Sequence, residues 1–315
     1  MSSNTVKTVA LVGANSGLGS AILRALLQAG FRITVLRRAS SKSPPFPADV
    51  HIPKSQEIEV KSLSDAWTTE ELTDALRGQD AVVVCFPSKD VNEHLRIADA
   101  AAATGTVRRY IPADFGSVDA RSPRSRELVP LFGKKVAVRE RLEQFAAQNE
   151  AFTWTSLVCG HLFDWGLRNG FLHFYPDERR ADILGSGNEK SSLSTMAKVA
   201  EAVVAVLNKF EETKNRVLMM QSFCVSQLEV LGALRRVLRD DGHGKEWQVD
   251  YVGLEEFIDQ HKRLADQGDA ESIEDLVFAL GVEDGNWETK EDFAMELLGL
   301  KEDDLDAEVK KALGL

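Results

Sequence analysis

The chain has 315 residues, of which 43% are hydrophobic and 28% charged, a balance that is typical of a globular protein and excludes wholesale disorder. Its net charge of -11 excludes the overall basic footprint of a nucleic-acid-binding protein. The three cysteines, Cys85, Cys159 and Cys224, are isolated from one another, which argues against a disulfide framework and against a structural zinc site.

The negative charge is concentrated near the end of the chain. Residues 251–315 carry 19 acidic and 6 basic side chains, so the rest of the chain is close to neutral. We expect this acidic segment to form solvated helix faces, with an acidic docking surface as the sharper alternative. No apolar run reaches the ~18 residues that a membrane helix needs, and Met1–Lys7 lacks the pattern of a secretory signal. The sequence predicts a cytoplasmic protein that does not bind a membrane.

Strand-like and helix-like segments alternate from the start of the chain. The predicted strands are Val6–Val12, Phe31–Leu36, Ile58–Val60, Ala81–Phe86, Val107–Ile111 and Phe152–Val158. The predicted helices run from Leu18 to a stop at Gly30 and over Thr69–Leu76, Val91–Thr104 and Leu131–Gln148. The proline-rich segment Ser40–Pro53 is predicted to be a loop. Such alternation indicates βαβ units, and these predict an α/β fold with a doubly wound parallel sheet of Rossmann type.

After Gly160 the pattern becomes irregular. It predicts strands near Ala181–Leu184, Val217–Gln221 and Trp247–Tyr251, helices over Thr195–Phe210 and Leu228–Leu238, and acidic helices at the end. We therefore divide the chain into a nucleotide-binding domain, residues 1–160, and a smaller α+β lid, residues 161–315. We expect the two parts to be interleaved.

The first turn of the predicted fold is rich in glycine. Gly13, Gly17 and Gly19 follow the first strand and precede the first helix, in the spacing G-x-x-x-G-x-G. Glycines at such a turn let backbone amides and a helix N-terminus approach the pyrophosphate of a dinucleotide. Arg37 and Arg38 end the second strand, and no acidic residue lies between Gly13 and Asp49. An arginine here accommodates a 2′-phosphate, so we predict NADP(H) rather than NAD(H), with Arg37 as the first contact and Lys42 as a possible second.

Several familiar catalytic motifs are absent. The residues four positions after the three tyrosines are Asp114, Arg179 and Glu255, so no Tyr-x-x-x-Lys pair is present. Metal-binding histidine pairs, nucleophile elbows and P-loops are also missing, and we expect no metal. What remains is Lys135, four residues before Arg139 on the predicted helix. From spacing alone, the pattern favours two ordinary exposed bases over a functional site.

Six stretches together resemble a known family: VGANSGLGSAIL, VLRR, RRYIPADFG, KVAVRERLEQFA, FTWTSLVCGHLFDWGL and ADILGSGNEKSSLST. They are similar to the NmrA-like, isoflavone-reductase-like branch of the atypical short-chain dehydrogenases, especially its fungal members of secondary metabolism. The resemblance runs from about residue 6 to about residue 260. It implies an NADP-binding Rossmann domain with a lid. It also implies a lysine, here Lys135 or in another register Lys134, that serves as proton donor or electrostatic aid.

The predicted site residues fall into three groups. The catalytic residue is Lys135. The cofactor contacts are Gly13, Asn15, Ser16, Gly17, Leu18, Gly19, Arg37, Phe86, Pro87, Lys135, Gly160 and His161. The substrate contacts are His161, Phe163 and Trp165, from an aromatic-rich segment that is equally compatible with a junction between the two parts of the chain. His161 departs from the family, and a hydrogen-bonded wall histidine and a role in substrate orientation or proton relay both stay open.

The predicted function is hydride transfer from NADPH to a small aromatic or conjugated compound, such as an enone, a quinone or a benzylic ether. Two alternatives remain, which are a non-catalytic NADP-sensing regulator of the NmrA type and a non-redox isomerase or cyclase on the same scaffold. We expect a small-molecule substrate, no nucleic-acid partner, and a monomer or homodimer.

Overall fold

A computed structural model describes residues 5–87, 89–239 and 246–315. Its strands are β1 (Thr8–Val12), β2 (Arg32–Arg38), β3 (Ile58–Leu63), β4 (Ala81–Val84), β5 (Arg109–Ile111), β6 (Thr153–Val158), β7 (His161–Leu162), β8 (Phe174–Tyr175), β9 (Arg180–Leu184), β10 (Lys190–Ser194), β11 (Arg216–Met219), β12 (Phe223–Ser226) and β13 (Gln248–Val252). Its helices are α1 (Gly17–Gln28), α2 (Thr69–Leu76), α3 (Val91–Ala103), α4 (Pro123–Leu128), α5 (Leu131–Gln148), α6 (Phe163–Asn169), α7 (Met196–Asn208), α8 (Gln227–Val237), α9 (Leu254–Asp266), α10 (Ala270–Asp284), α11 (Met295–Leu298) and α12 (Leu305–Leu313).

Seven strands form the central sheet, in the order β11-β6-β5-β4-β1-β2-β3. Each pairing between neighbours in this sheet is parallel. The strand order reverses between β1 and β4, so this pair marks the switch point at which doubly wound sheets bind ligands. The predicted α/β fold with a doubly wound parallel sheet is confirmed.

Both faces of this sheet are covered by helices. Side chains such as Leu11 and Val35 belong to the core on the side of α1 and α7. Their neighbours Val12 and Leu36 point to the other face, where they share a core with α2, α3 and α5. Because alternate side chains of a strand face opposite ways, burial on both sides explains why these strands are continuously apolar.

The chain beyond residue 160 contributes both to the central sheet with its helices and to a separate smaller part. Strand β11 extends the central sheet next to β6, and α7 packs on α1. The other elements form two three-stranded sheets, β12-β10-β7 and β13-β9-β8, with a separate core that includes side chains of α6, α8, α9, α10 and α12. None of the helices in the described part of the chain is both long and apolar enough to cross a bilayer.

A chain of histidines and carboxylates, of which His173 is buried and the others are half-buried, joins the elements of this smaller part. Nε2 of His173 lies 3.2 Å from Oδ1 of Asp275 on α10, and Nδ1 lies 3.9 Å from Oδ2 of Asp182 on β9. The other oxygen of Asp275 lies 2.9 Å from Nδ1 of His261 on α9. Burial alone would lower the pKa of His173, but its hydrogen bonds with Asp182 and Asp275 raise that pKa above its usual value. The charged form of His173 therefore holds α10 in place.

This pKa shift predicts how stability depends on pH. Since the pKa of His173 is raised above its ordinary value of 6.5, the ion pairs stabilise the fold fully below that pH. The contribution is lost as the pH rises through the folded-state pKa. We expect urea unfolding to show a free-energy difference between wild type and His173→Asn that shrinks from pH 6 to pH 9. Asparagine suits the left-handed backbone at this position, where φ is +59°.

The exposed His51 offers a matched control, because His51→Gln leaves the histidine–carboxylate chain intact. A free-energy difference for His173→Asn that stays constant or grows over the same pH range would contradict the assignment.

Candidate active site

Two cavities lie at the carboxyl ends of the central strands. The glycine-loop cavity has a volume of about 380 Å³ and is lined by Val12, Gly13, Ala14, Asn15, Leu36, Arg37, Arg38, Ser40, Ser41, Ser43, Pro44, Pro45, Trp67 and Phe86. The Lys135 cavity has a volume of about 210 Å³ and is lined by Phe115, Gly116, Ser117, Leu131, Phe132, Lys135, Gly160, His161, Leu162, Trp165, Phe171, Glu274 and Val277. Of the predicted cofactor residues, four line the first cavity and three the second, whereas the other five line neither: Ser16, Gly17, Leu18, Gly19 and Pro87.

The glycine loop requires glycine at two of its positions. Gly13 has a φ of +94°, and a Cβ there would lie 3.0 Å from the carbonyl carbon of Cys85, at the end of β4. A Cβ on Gly19 would lie 2.1 Å from the carbonyl oxygen of Gly13. The loop, the start of α1 and the end of β4 are therefore as close together as backbone allows.

Ser16 holds this arrangement by its hydroxyl group. Its Oγ accepts a hydrogen bond from the amide of Gly19 at 2.9 Å and donates one to the carbonyl of Cys85 at 3.0 Å. It is the N-cap of α1, so its side chain serves the fold.

The next two amides remain available for a ligand. The N–H groups of Gly17 and Leu18 open α1 and form no hydrogen bond with any described residue. Unpaired amides at a helix N-terminus carry partial positive charge and bind anions such as phosphate. Gly17 is exposed, Asn15 is exposed on the turn before it, and the side chain of Leu18 is buried in the core. The geometry thus suits a phosphate held by main chain.

Two arginines at the end of β2 line the same cavity, and they differ in their partners. The guanidinium of Arg38 lies 4.8 Å over the ring of Trp67 and forms an ion pair with Glu93. Arg37 donates to the backbone carbonyl of Ser41. No acidic side chain is among the described residues that line this cavity. Arg38 is therefore paired with a carboxylate from outside the cavity, whereas Arg37 forms no ion pair with any described residue.

The two predicted contacts on the loop after β4, Phe86 and Pro87, have different surroundings. Phe86 lines the glycine-loop cavity, where its ring packs against His94 at 4.3 Å. Pro87 is exposed, does not line either cavity, and accepts a hydrogen bond from the amide of Lys89.

Lys135 lies at the inner side of α5 and faces the second cavity. Its ammonium group donates to the backbone carbonyl of Asp114 and lies 3.9 Å from Oδ1 of that residue. It also lies 5.3 Å from the centre of the Phe132 ring. A Cβ on Gly116 would only touch the ammonium group, at 3.5 Å, but would lie 2.8 Å from the carbonyl oxygen of Val118, so the backbone requires the glycine here. Burial lowers the pKa of Lys135, and the Asp114 carboxylate opposes part of that shift.

The neighbouring Lys134 has a different environment. Its Nζ donates to the carbonyl of Lys89 at 2.6 Å, and the residue does not line the Lys135 cavity. Of the two alternative lysines, the structure brings Lys135 to the cavity.

A buried ion-pair network lies one helical turn behind Lys135. The guanidinium of Arg139 is fully buried, and it donates to the carboxylate of Asp114 and, at 2.6 Å, to that of Asp119. The hydroxyl of Ser156 on β6 also donates to Asp114. Arg139 is therefore neither an exposed base nor a free cation beside the lysine, because two carboxylates offset its charge.

The aromatic segment contributes to the cavity in part. Gly160, His161 and Trp165 line it, and the ring of Trp165 packs against Phe171 at 5.4 Å. The structure does not bring Phe163 to the cavity: this side chain is fully buried and packs edge-on against Phe223 at 4.9 Å in the core of the smaller part. The expected substrate contact at Phe163 is thus replaced by a core contact, since the first turn of α6 turns its ring inward.

Several lining residues were missed by the sequence reasoning. Glu274 and Val277 come from α10, more than a hundred residues away in sequence, and no local pattern points to them. Trp67 precedes α2, and no sequence motif points to it. Asp114 contacts Lys135 and could have been found from the sequence, because it lies within the stretch PADFG that carries the family resemblance. Among the described residues, no group of His, Cys, Asp and Glu side chains is arranged to hold a metal ion.

Comparison with known proteins identifies the family of the chain. The model of the NmrA-like family matches residues 5–285. The oxidoreductase aprR of Aspergillus flavus is 35% identical over 83% of this chain and 80% of its own length, and the oxidoreductase poxI of Penicillium oxalicum is 31% identical over 96% and 92%.

Solved structures show the same fold. The crystal structure of isoflavone reductase superposes with a TM-score of 0.74 at 19% identity, and it covers 98% of this chain and 99% of its own. The structure of AtPrR2 with NADP+ and (+)pinoresinol has a TM-score of 0.72 at 20% identity, with the same coverage. The predicted family and enzyme class are confirmed: the chain belongs to the NmrA-like family and is an oxidoreductase related to the isoflavone and pinoresinol reductases.

Proposed function

We propose that this protein transfers a hydride from NADPH to a small aromatic or conjugated compound, such as an enone, a quinone or a benzylic ether. One observation carries the proposal: a largely buried ammonium group faces a mainly apolar cavity at the same edge of the sheet as a glycine loop suited to a dinucleotide. The reaction requires one site that binds the nucleotide and one that stabilises negative charge on the substrate. The glycine-loop cavity suits the first purpose and the Lys135 cavity the second.

The glycine-loop cavity fits NADP(H) in its donors and in its charge. The free amides of Gly17 and Leu18 suit the pyrophosphate, and the absence of acidic lining residues together with Arg37 favours a 2′-phosphate over a bare ribose. AtPrR2, which shares the fold, has been solved with NADP+. Phe86 and Trp67 supply apolar walls.

When bound, NADPH supplies the hydride. As the hydride arrives, negative charge develops on the oxygen conjugated to the accepting carbon. The ammonium group of Lys135 would lie against that oxygen and stabilise its charge more strongly than the neutral oxygen of the ground state. Because burial lowers the pKa of Lys135, the amine also gives up a proton more readily than an exposed lysine. We assign Lys135 as the electrostatic and proton-donating residue.

Arg139 has a supporting role in this assignment. Without it, Lys135 alone would face the charge of the buried Asp114 carboxylate. Arg139 pairs with Oδ2 of Asp114 and with Asp119, while the ammonium group of Lys135 lies 3.9 Å from Oδ1 of Asp114 and donates to its backbone carbonyl. Asp114 therefore shares its negative charge between the two cations, and the charge of Lys135 is offset only in part.

The cavity walls favour a flat, largely apolar substrate. Aromatic side chains dominate the lining, namely Phe115, Phe132, Trp165 and Phe171. Rings of this kind stack on an aromatic or conjugated ligand and exclude water from the reacting centre.

A substitution of the lysine tests the proposed role. We expect Lys135→Ala to lower kcat at least ~100-fold, since acid or oxyanion assistance is worth about that much. The assay measures NADPH consumption and product formation with a panel of quinones, enones and benzylic ethers. Lys134→Ala is the matched control and should leave kcat near wild type, because Lys134 does not line the cavity.

The same assay separates the alternatives. Nearly normal turnover in Lys135→Ala would reject the role of the lysine. Binding of NADPH without consumption across the panel would instead favour a sensor, and product formation without cofactor oxidation would favour an isomerase or cyclase.

A second substitution tests the cofactor preference. Removing the guanidinium in Arg37→Ala should weaken NADP(H) binding about 10- to 100-fold, the usual worth of a charge-assisted hydrogen bond, while NAD(H) binding changes little. Calorimetric titration of both nucleotides gives the two dissociation constants. Lys42→Ala is the comparison, because Lys42 does not line the cavity, and it should alter neither constant. Equal losses for both nucleotides in Arg37→Ala would refute the assignment.

A further inference from the structure

His161 lies between two cavities. Besides the Lys135 cavity, it lines a smaller inner cavity of about 20 Å³, whose other lining residues come from the smaller part of the chain. No other described residue lines both cavities. The imidazole ring is therefore the partition that ends the Lys135 cavity on its inner side.

Helix α10 fixes the orientation of this ring. Nε2 of His161 lies 3.2 Å from the backbone carbonyl of Val277, and the ring packs at 5.4 Å against that of Phe278. A Cβ on Gly281 would lie 2.1 Å from Cε1 of His161, so the missing side chain at this position makes room for the imidazole. On its other side the ring meets Phe171 edge-on at 5.3 Å.

This anchoring determines which ring nitrogen carries the proton. A carbonyl oxygen only accepts hydrogen bonds, so Nε2 must donate its N–H to Val277. Burial lowers the pKa of His161 to about 4, so the ring is neutral near pH 7. Nδ1 therefore carries a lone pair. It forms no hydrogen bond with any described residue, although the ring itself is 3% exposed.

The inner cavity does not supply a donor for that lone pair. Its polar side chains are engaged elsewhere: Ser191 donates to the carbonyl of Gly281, and the amide of Gln227 bonds the backbone of Asp182 and Leu184. Ser226 caps α8. Nδ1 is not among the fully buried side-chain atoms that lack a partner in the described part of the chain, so it is accessible from a cavity, and a ligand in the Lys135 cavity can supply the donor.

We propose that His161 is a specificity-determining residue of the Lys135 cavity, and that Nδ1 accepts a hydrogen bond from a hydroxyl group of the substrate. The substrate class then narrows to hydroxylated aromatic compounds, in which the conjugated oxygen binds Lys135 and a separate phenolic or enolic hydroxyl binds His161. This inference rests on the proposed function for the identity of the site, but its test does not depend on turnover.

Two amides distinguish the two nitrogens of the ring. In His161→Asn the side-chain oxygen can occupy the position of Nδ1 and keep the acceptor. In His161→Gln the longer side chain can keep the bond to Val277 but has no acceptor at the position of Nδ1. His161→Phe retains the ring and removes both polar groups. Thermal unfolding of each variant shows whether it is folded.

The measurement is ligand binding to the protein saturated with NADP+, which allows no reduction. Quenching of the intrinsic tryptophan fluorescence, to which Trp165 in the cavity wall contributes, reports the dissociation constants of 3- and 4-hydroxybenzylideneacetone, of their methyl ethers and of unsubstituted benzylideneacetone. We expect wild type to bind one of the phenols about 5- to 10-fold more tightly than its ether and the parent compound, the usual worth of one neutral hydrogen bond. The ratio should stay in His161→Asn and fall to about one in His161→Gln and His161→Phe.

Equal binding of all these ligands by wild type, no saturable binding of either phenol, or an unchanged ratio in His161→Gln would overturn the role of His161. NADPH consumption by wild type is measured separately. A hydroxyl preference without any NADPH consumption would refute the proposed function and leave the role of His161 intact, whereas consumption without that preference would do the reverse.

Discussion

The buried ion pairs of Arg139 fix the geometry on which the rest of the site depends. Taking an arginine and a carboxylate out of water costs several kcal/mol per ion, and the structure offsets that cost only because the guanidinium meets Asp114 and Asp119 together. These bonds join the middle of α5 to the segment after β5 and, through Ser156, to β6. Lys135 lies one turn earlier on the same rigid helix. Its position is therefore set by the sheet rather than by the mobility of a long side chain.

The glycine-loop cavity depends mainly on backbone groups and the Lys135 cavity mainly on side chains. The residues of the two cavities can therefore change to different extents among relatives. The glycine-loop cavity relies on backbone: the amides of Gly17 and Leu18, the close contact of Gly13 with Cys85, and the Ser16 cap. Backbone donors tolerate changes in side chains, so relatives can share this site at low identity. The Lys135 cavity relies on side chains, many of them from the irregular part of the chain, and its lining can change without disturbing the glycine-loop cavity.

The accuracy of the predictions from sequence depends on whether a feature is set by local residues or only by the fold. Elements dominated by local pattern were predicted to within a few residues. Thr69–Leu76 agrees with α2, where the capping box of Thr68 and Glu71 is a local signal. Leu131–Gln148 agrees with α5, which has no side-chain cap. The strand predicted over Ala81–Phe86 ends earlier, at Val84, because the chain turns at Cys85 to meet the glycine loop. Short elements such as α4, β7 and α6 were missed, since two to seven residues carry too little periodicity.

At the site, the residues found from sequence were those attached to a motif, and those missed come together only through the fold. Nothing local predicts that Val277 reaches His161, that Gly281 makes room for its ring, or that Phe163 turns into the core.

Helix α10 connects these observations. One face of it supplies Glu274 and Val277 to the Lys135 cavity and holds the ring of His161, while Asp275 on the same helix bonds His173 and His261. The histidine–carboxylate chain therefore stabilises the element that forms one wall of the Lys135 cavity. An irregular fold is suited to this purpose, because its helices are fixed by a few specific polar contacts instead of by a sheet. A change in one such contact can move a cavity wall and leave the nucleotide-binding sheet unaffected.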